Sequence, residues 1–207
     1  MTTDQTRALI IIGAGGHGRV VADIARRSGS YDTIDFLDDE PSDKTRTIGK
    51  TAAYVDYIGR ADFAVAIGNA TVRRRFVEEL SRHHARIVTL IHPQAVIGEN
   101  VVIGRGTVIA AGAVVNPGAR IGDGVIINTS SSVDHDCMVG DFCHISVGAH
   151  LAGTVTVGEE TFIGAGAVVI NNMDICGQCM VGAGAVVVRP ITEPGIYIGV
   201  PAKRMMK

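Results

Sequence analysis

From residue 95 onward the chain keeps a six-residue beat. The third place of each hexad is Ile, Val or Leu at every step from Ile97 to Val187, sixteen times without an insertion. The first place is mostly Ala, Val, Thr, Ser or Cys, and Gly or Asp often follows the third. In a strand, side chains alternate between faces, so the third residue is expected to point inward and its neighbours outward. The small first residue suits a tight corner, and glycine eases the turn. A chain built this way winds into a parallel β-solenoid in which each coil covers the last.

Residues 1 to 92 follow another rhythm. Ala8 to Ile12 is a short apolar run, expected to be a buried strand, and it leads into Gly13-Ala14-Gly15-Gly16-His17-Gly18. RVVADIARRSG then places apolar residues at helical spacing, with Gly29 as a stop. TIDFLDDE reads as a second strand ending in Asp38-Asp39, and DFAVAIGN as a third. A basic helix, TVRRRFVEELSRHH, and a strand, RIVTLIHP, complete a small α/β Rossmann-like βαβ domain. Two domains are therefore expected, 1–92 and 93–207, the second including a C-terminal tail.

Composition narrows the function classes. A net charge of −2 over 207 residues argues against nucleic acid or an anionic membrane surface as the main partner. Mean hydropathy is +0.27, yet no apolar run approaches the roughly 18 residues a membrane span needs. The opening MTTDQTRALIII holds too short an apolar stretch for a secretory signal. Four cysteines without a compartment signal make a cytoplasmic location the default and disulfides unexpected. With 4% aromatic residues, no Trp and 26 glycines, the composition fits a repetitive architecture.

Gly13, Gly15 and Gly18 form G-x-G-x-x-G, whose amides and helix N-terminus favour phosphate. An acid about twenty residues further on, here Asp38, is the pattern of an NAD ribose contact. A domain of about half the length of a full dinucleotide fold argues instead for a nucleotide-linked substrate. His17 can cap or contact a diphosphate, the plainer reading being a surface side chain. The Arg73-Arg74-Arg75 run reads as a solvated helix face, the alternative being a contribution to phosphate binding.

The hexad register sorts the cysteines and histidines. Cys137, Cys143 and Cys179 occupy the small first place, and Cys176 follows the inward Ile175, so packing explains the Cys176-Gly177-Gln178-Cys179 spacing better than a metal site. No metal is expected. His135 sits at place five, which faces outward near a turn, and one coil is eighteen residues, so Gly153 stacks on it. That leaves space and an unshielded amide beside the imidazole, as a thioester carbonyl would need. His144 and His150 occupy place two of later hexads. His150 shares a face with His135, while His144 lies on another. His144 can meet His135 only across a subunit boundary, and apolar outward residues (Val96, Val102, Val108, Val114, Ile126, Phe162) suggest covered faces. A homotrimer with sites between adjacent helices is expected.

The sixteen hexads resemble the left-handed β-helix of the hexapeptide-repeat acyltransferases. With IIGAGGHG, FLDD, AIGN, IHP, NTSSSVDHDC, DFCHISVGAHLAG, VGAGAVV and IGVPAKRM, essentially the whole chain resembles the PglD/NeuD-type sugar acetyltransferases. The resemblance implies a nucleotide sugar on the N-terminal domain and acetyl-CoA, as co-substrate, along the helix. It implies His135 as catalytic base and Asp136 as its supporting acid. His144, Gly153, Ala165 and Ala183 would line the acetyl-CoA site. Gly13, Gly15, Gly16, His17, Gly18, Asp38, Asp39 and Asn69 would form the nucleotide-sugar pocket. The implied reaction is acetyl transfer to the amine of a nucleotide-linked amino-deoxy sugar, a UDP-4-amino-4,6-dideoxy sugar, for surface glycan biosynthesis. Two positions depart from the pattern. Asp136 stands where Glu is expected, and Glu40 stands where Lys follows the paired aspartates, which leaves the nucleotide and sugar open. O-acetylation of a sialic-type sugar is the rival within the class. A non-catalytic nucleotide-sugar-binding protein is the rival outside it. The γ-class carbonic anhydrases, which hold zinc with three histidines on the same helix, would leave the glycine-rich domain unexplained.

Overall fold

The computed structural model describes residues 7–40 and 45–205. The extreme ends of both expected domains therefore lie outside the described residues. The chain divides between Pro93 and Gln94 into two compact units.

In the first unit, β1 (Ala8–Ile12), β2 (Thr33–Leu37), β3 (Asp62–Val65) and β4 (Arg86–Ile87) form a parallel sheet in the order β2-β1-β3-β4. The apolar runs read as strands because both faces are covered, and Leu9, Ile11, Ile12, Phe63 and Leu37 are almost fully buried. Helix α1 (Gly16–Ser28) follows β1, and α2 (Ala70–Arg82) follows β3. α1 stops at Gly29, whose φ of 66° is the left-handed C-cap conformation that glycine adopts without a Cβ penalty. The RIVTLIHP stretch is interrupted: β4 ends at Ile87, and a separate two-residue strand follows at Leu90–Ile91.

In the second unit each hexad contributes a two-residue strand, and every strand pairs in parallel with the one eighteen residues away, as in Val96↔Val114 and Ser132↔His150. Three faces result. The first carries Val96, Val114, Ser132, His150, Val168 and Val186 at place two, the second Val102, Arg120, Met138, Thr156 and Asp174, and the third Val108, Ile126, His144, Phe162 and Met180. The third-place residues fill the interior: Val133, Ile145, Ile163 and Val169 have no exposed surface. So do the first-place Cys137, Cys143 and Ala149. Burying a Val or Ile side chain is worth roughly 1.5–3 kcal/mol, and the column repeats that gain at every hexad. The sixth place takes a positive φ in fifteen consecutive hexads, from Asn100 to Gly184. Among the described residues, no helix is long and apolar enough to cross a membrane.

Candidate functional site

All eight residues expected at the nucleotide-sugar pocket lie at the carboxyl ends of β1, β2 and β3. That edge is where open parallel sheets bind ligands, most of all where strand order reverses, here between β1 and its two neighbours. A Cβ on Gly13 would stand 2.9 Å from the Ala66 carbonyl oxygen, and one on Gly18 would collide with the Gly13 carbonyl. Glycine at these two places lets the loop, the start of α1 and the end of β3 close together. Gly15 and Gly16 are exposed at the N-terminus of α1, with open space over Gly15.

Asp38 accepts from the Ala14 amide at 2.6 Å and from the Glu40 amide at 2.9 Å, one on each oxygen. Its carboxylate braces the glycine loop, which is a different use from a ribose contact. Asp39 accepts from the Thr51 amide and hydroxyl, and these bonds hold its carboxyl below the usual carboxylate value. Asn69 caps α2, its side-chain oxygen accepting from the Val72 amide at 2.9 Å. His17 is half-buried rather than a surface side chain, and burial, helped by Arg73, pushes its pKa down to about 4. It is therefore neutral near pH 7, a hydrogen-bonding group rather than a charge. Arg73 corrects the solvated-face reading. It is buried and donates to the Ile67 and Gly68 carbonyls at 2.8 Å, so it braces the loop after β3.

His135 sits at the corner between the first and second faces, after Ser132–Val133 and before Met138–Val139. Its Nδ1 lies 2.9 Å from Asp136 Oδ2, with 58% and 65% of the two side chains exposed. A carboxylate only accepts, so Nδ1 carries the proton and the Nε2 lone pair is left for chemistry. The Asp136 hydrogen bond raises the imidazole pKa above its ordinary value. Asp136 can turn back onto its own neighbour because it occupies the sixth place, with φ of 57°. Nε2 lies against Gly153 so closely that a Cβ there would overlap the ring.

The backbone ladder explains why that glycine matters. Places two and four donate to one neighbouring coil, as in Val96 N–H to Ala113 and Gly98 N–H to Val115. Place six donates to the other, as in Gly118 N–H to Glu99. The fifth-place N–H has no rung. Side chains cap it at Arg105, Asp123, Thr129 and His135, the acceptors being Asp123, Asp141, Asn128 and Asp134. At Gly153 it makes no hydrogen bond among the described residues and carries no side chain to screen it.

The remaining expected residues lie elsewhere on the same chain. His144 is on the third face, edge-on to Phe162 with ring centroids 5.0 Å apart. Its Nε2 is 3.1 Å from Asn128 Nδ2, and because Asn128 Oδ1 accepts from the Thr129 amide, the amide nitrogen must face the ring. His144 Nε2 is then the acceptor. His150 is on the first face and bonds Ser132 Oγ through Nδ1 at 2.8 Å. The three histidines thus have separate partners. Ala165 and Ala183 are exposed, eighteen residues apart, and stack at the corner between the third and first faces. One chain joins His135, Asp136 and Gly153, and sets His144, Ala165 and Ala183 apart from them. Asn116 and Asn128 go unnoticed in the sequence, and Asp134 suggests there no more than a structural turn residue. Their signal was a polar residue at place four, where Gly or Ala is the commoner choice.

The family described as PglD N-terminal domain matches residues 8–80, and bacterial transferase hexapeptide repeats match residues 88–117. UDP-N-acetylbacillosamine N-acetyltransferase of Bacillus subtilis is 36% identical over 104 residues, an alignment spanning 47% of this chain and 48% of that protein. The acetyltransferase domain of PglB from Neisseria gonorrhoeae is 41% identical with a TM-score of 0.93, covering 96% of this chain and 100% of the other. The same domain has been solved with acetyl coenzyme A. PerB from Caulobacter crescentus, solved with CoA and GDP-perosamine, is 37% identical with a TM-score of 0.91, covering 96% of this chain and 97% of that one. With this identity along nearly its whole length, the chain belongs to the PglD/NeuD-type hexapeptide-repeat sugar acetyltransferases.

Proposed function

We propose that this protein transfers the acetyl group of acetyl-CoA to the amine of a nucleotide-linked 4-amino-4,6-dideoxy sugar, with His135 as general base. The observation that carries this reading is the His135–Asp136 pair, with Nε2 lying against Gly153, whose amide is uncapped among the described residues. A protonated amine cannot attack a thioester. Neutral His135 takes the proton at Nε2 as the amine nitrogen bonds to the acetyl carbon, an effect worth roughly 10²–10⁴-fold in rate. Asp136 stabilises the imidazolium as it forms. The Gly153 amide is placed to donate to the tetrahedral oxyanion, which collapses with loss of the CoA thiolate. Transfer is direct, since the buried first-place thiols are packing groups.

The small Ala165 and Ala183 side chains let a pantetheine arm lie close to their corner. The loop between β1 and α1 takes the nucleotide phosphates, and the UDP-linked substrate follows from the Bacillus subtilis relative's name. That assignment competes with GDP, the nucleotide carried by the PerB ligand. Amine over hydroxyl follows from the relatives' names as N-acetyltransferases. The separation of His135 from His144 supports sites shared between copies of a homotrimer, and the reading extends to precursors of surface glycan made in the cytoplasm. The test is an acetyl-CoA assay with UDP- and GDP-linked 4-amino-4,6-dideoxy sugars and a free sialic acid. The expected product is an amide of the UDP-linked sugar. Formation of an ester on the sialic acid alone, or no CoA release with any amine, would refute the reading.

A further inference from the structure

His135 is mostly exposed, and an exposed imidazole ordinarily samples several χ1 rotamers. Its backbone here is held on every side. The His135 amide donates to Asp134 Oδ1 at 2.7 Å, and that same oxygen accepts from Asn116 Nδ2 in the adjacent coil at 2.8 Å. The His135 carbonyl accepts from the Thr154 amide at 2.9 Å, and the Asp136 amide donates to the Pro117 carbonyl at 3.1 Å. At Arg105 and Asp123 the fifth-place amide is capped by an aspartate of the next coil. At His135 the cap is the residue directly before it, itself anchored to the coil on the opposite side from Gly153.

We propose that Asp134, anchored by Asn116, is a positioning residue that holds the His135 peptide so that its ring stays between Asp136 and Gly153. The inference rests on the general-base role assigned to His135 above. Capping an orphan amide would satisfy the ladder at any corner. What is particular here is that one oxygen joins three consecutive elements of the site: the coil of Asn116, the peptide of His135 and, through it, the ring under Gly153. With Asp134 in place, the ring needs only its Asp136 bond to select one rotamer. Without it, the peptide can rotate and the Asp136 bond is made only part of the time, which lowers the fraction of molecules in the attacking geometry.

The test uses the full-length protein with isotope-labelled histidine, in wild type, Asp134→Ala, Asp134→Asn and Asn116→Ala. Wild type and Asp134→Asn are expected to hold one His135 rotamer by NMR, since an amide oxygen can accept the same two bonds. Asp134→Ala is expected to average rotamers. In turnover, Asp134→Ala should lower kcat by about tenfold with KM for acetyl-CoA nearly unchanged, Asn116→Ala less so, and Asp134→Asn should recover most of the loss. A single ordered ring in Asp134→Ala overturns the proposal, as does an Asp134→Asn ring as disordered as that of the alanine variant. Ring order is read without substrate, so a wild-type protein that fails to transfer acetyl sinks the reaction reading and leaves this one to be decided by the spectra.

Discussion

Asp136 and Gly153 act on the two ends of one imidazole. The proposed general base must be neutral to act, and the Asp136 bond raises the His135 pKa from its ordinary value. The acidic limb of kcat/KM should accordingly be displaced upward from that of a free imidazole. In Asp136→Asn the limb should move down in pH while kcat falls, because the carboxylate that favours the imidazolium is gone; a pH–rate profile of both proteins checks the sign. Gly153→Ala tests the other end. Gly153 does not adopt a positive φ, so alanine is permitted by the backbone, and the three atoms the added methyl meets first all belong to the imidazole. Circular dichroism should be unchanged while turnover falls by about 10²-fold. His135 was legible in the sequence because the register makes place five outward and puts Gly153 eighteen residues on. Asp134 was not, since its value lies in bonds to two coils that no local pattern reveals. Arg73 was legible in principle. It precedes the buried Phe76, Val77 and Leu80 by three, four and seven residues, the spacing of one helix face. Two further arginines beside it hid that spacing.

The coil itself is the element most fully written in the sequence, because a six-residue period demands one inward residue and one reversal per hexad. What the period does not display is the cost of the reversal. The sixth place is left-handed throughout, and several hexads fill it with residues other than glycine, among them Phe142, Glu160 and Gln178. A left-handed conformation costs an L-residue roughly 1–2 kcal/mol, partly offset by glycine's greater chain entropy when unfolded. Gln178, exposed and with φ of 60°, offers a clean test. Gln178→Gly should raise unfolding stability by up to about 1 kcal/mol in denaturant titration. At Asp136 the same strain does something else, since it aims the carboxylate backward at Nδ1. A glycine there would relax the corner and remove the partner together.

At the scale of the molecule, the faces separate what the proposed chemistry must unite. His135 stands at one corner, His144 on the opposite face and the Ala165–Ala183 column at a different corner. If the site is completed between copies, His135→Ala and His144→Ala are each inactive alone. Equal co-assembly of the two should then restore about a quarter of wild-type activity, the fraction of adjacent pairs that contribute both histidines intact. No recovery on mixing would place the whole site within one copy. The division into a nucleotide-type α/β unit and a solenoid was plain from the change of rhythm near residue 92. The choice of nucleotide was not, because Asp38 spends one oxygen on the glycine loop after β1 and the other on its own turn after β2. One property of the solenoid reaches beyond this reaction. Winding leaves the fifth-place amide outside the ladder at corner after corner, repeated like marks on a ruler, so a reactive centre on this scaffold has an address of coil and place. Gly153→His, Thr154→Asp and Asn171→Gly, with Ala152→Asp and Asp134→Asn to supply the anchor, would write the same address one mark higher, and the chain would have no need to fold differently to read it.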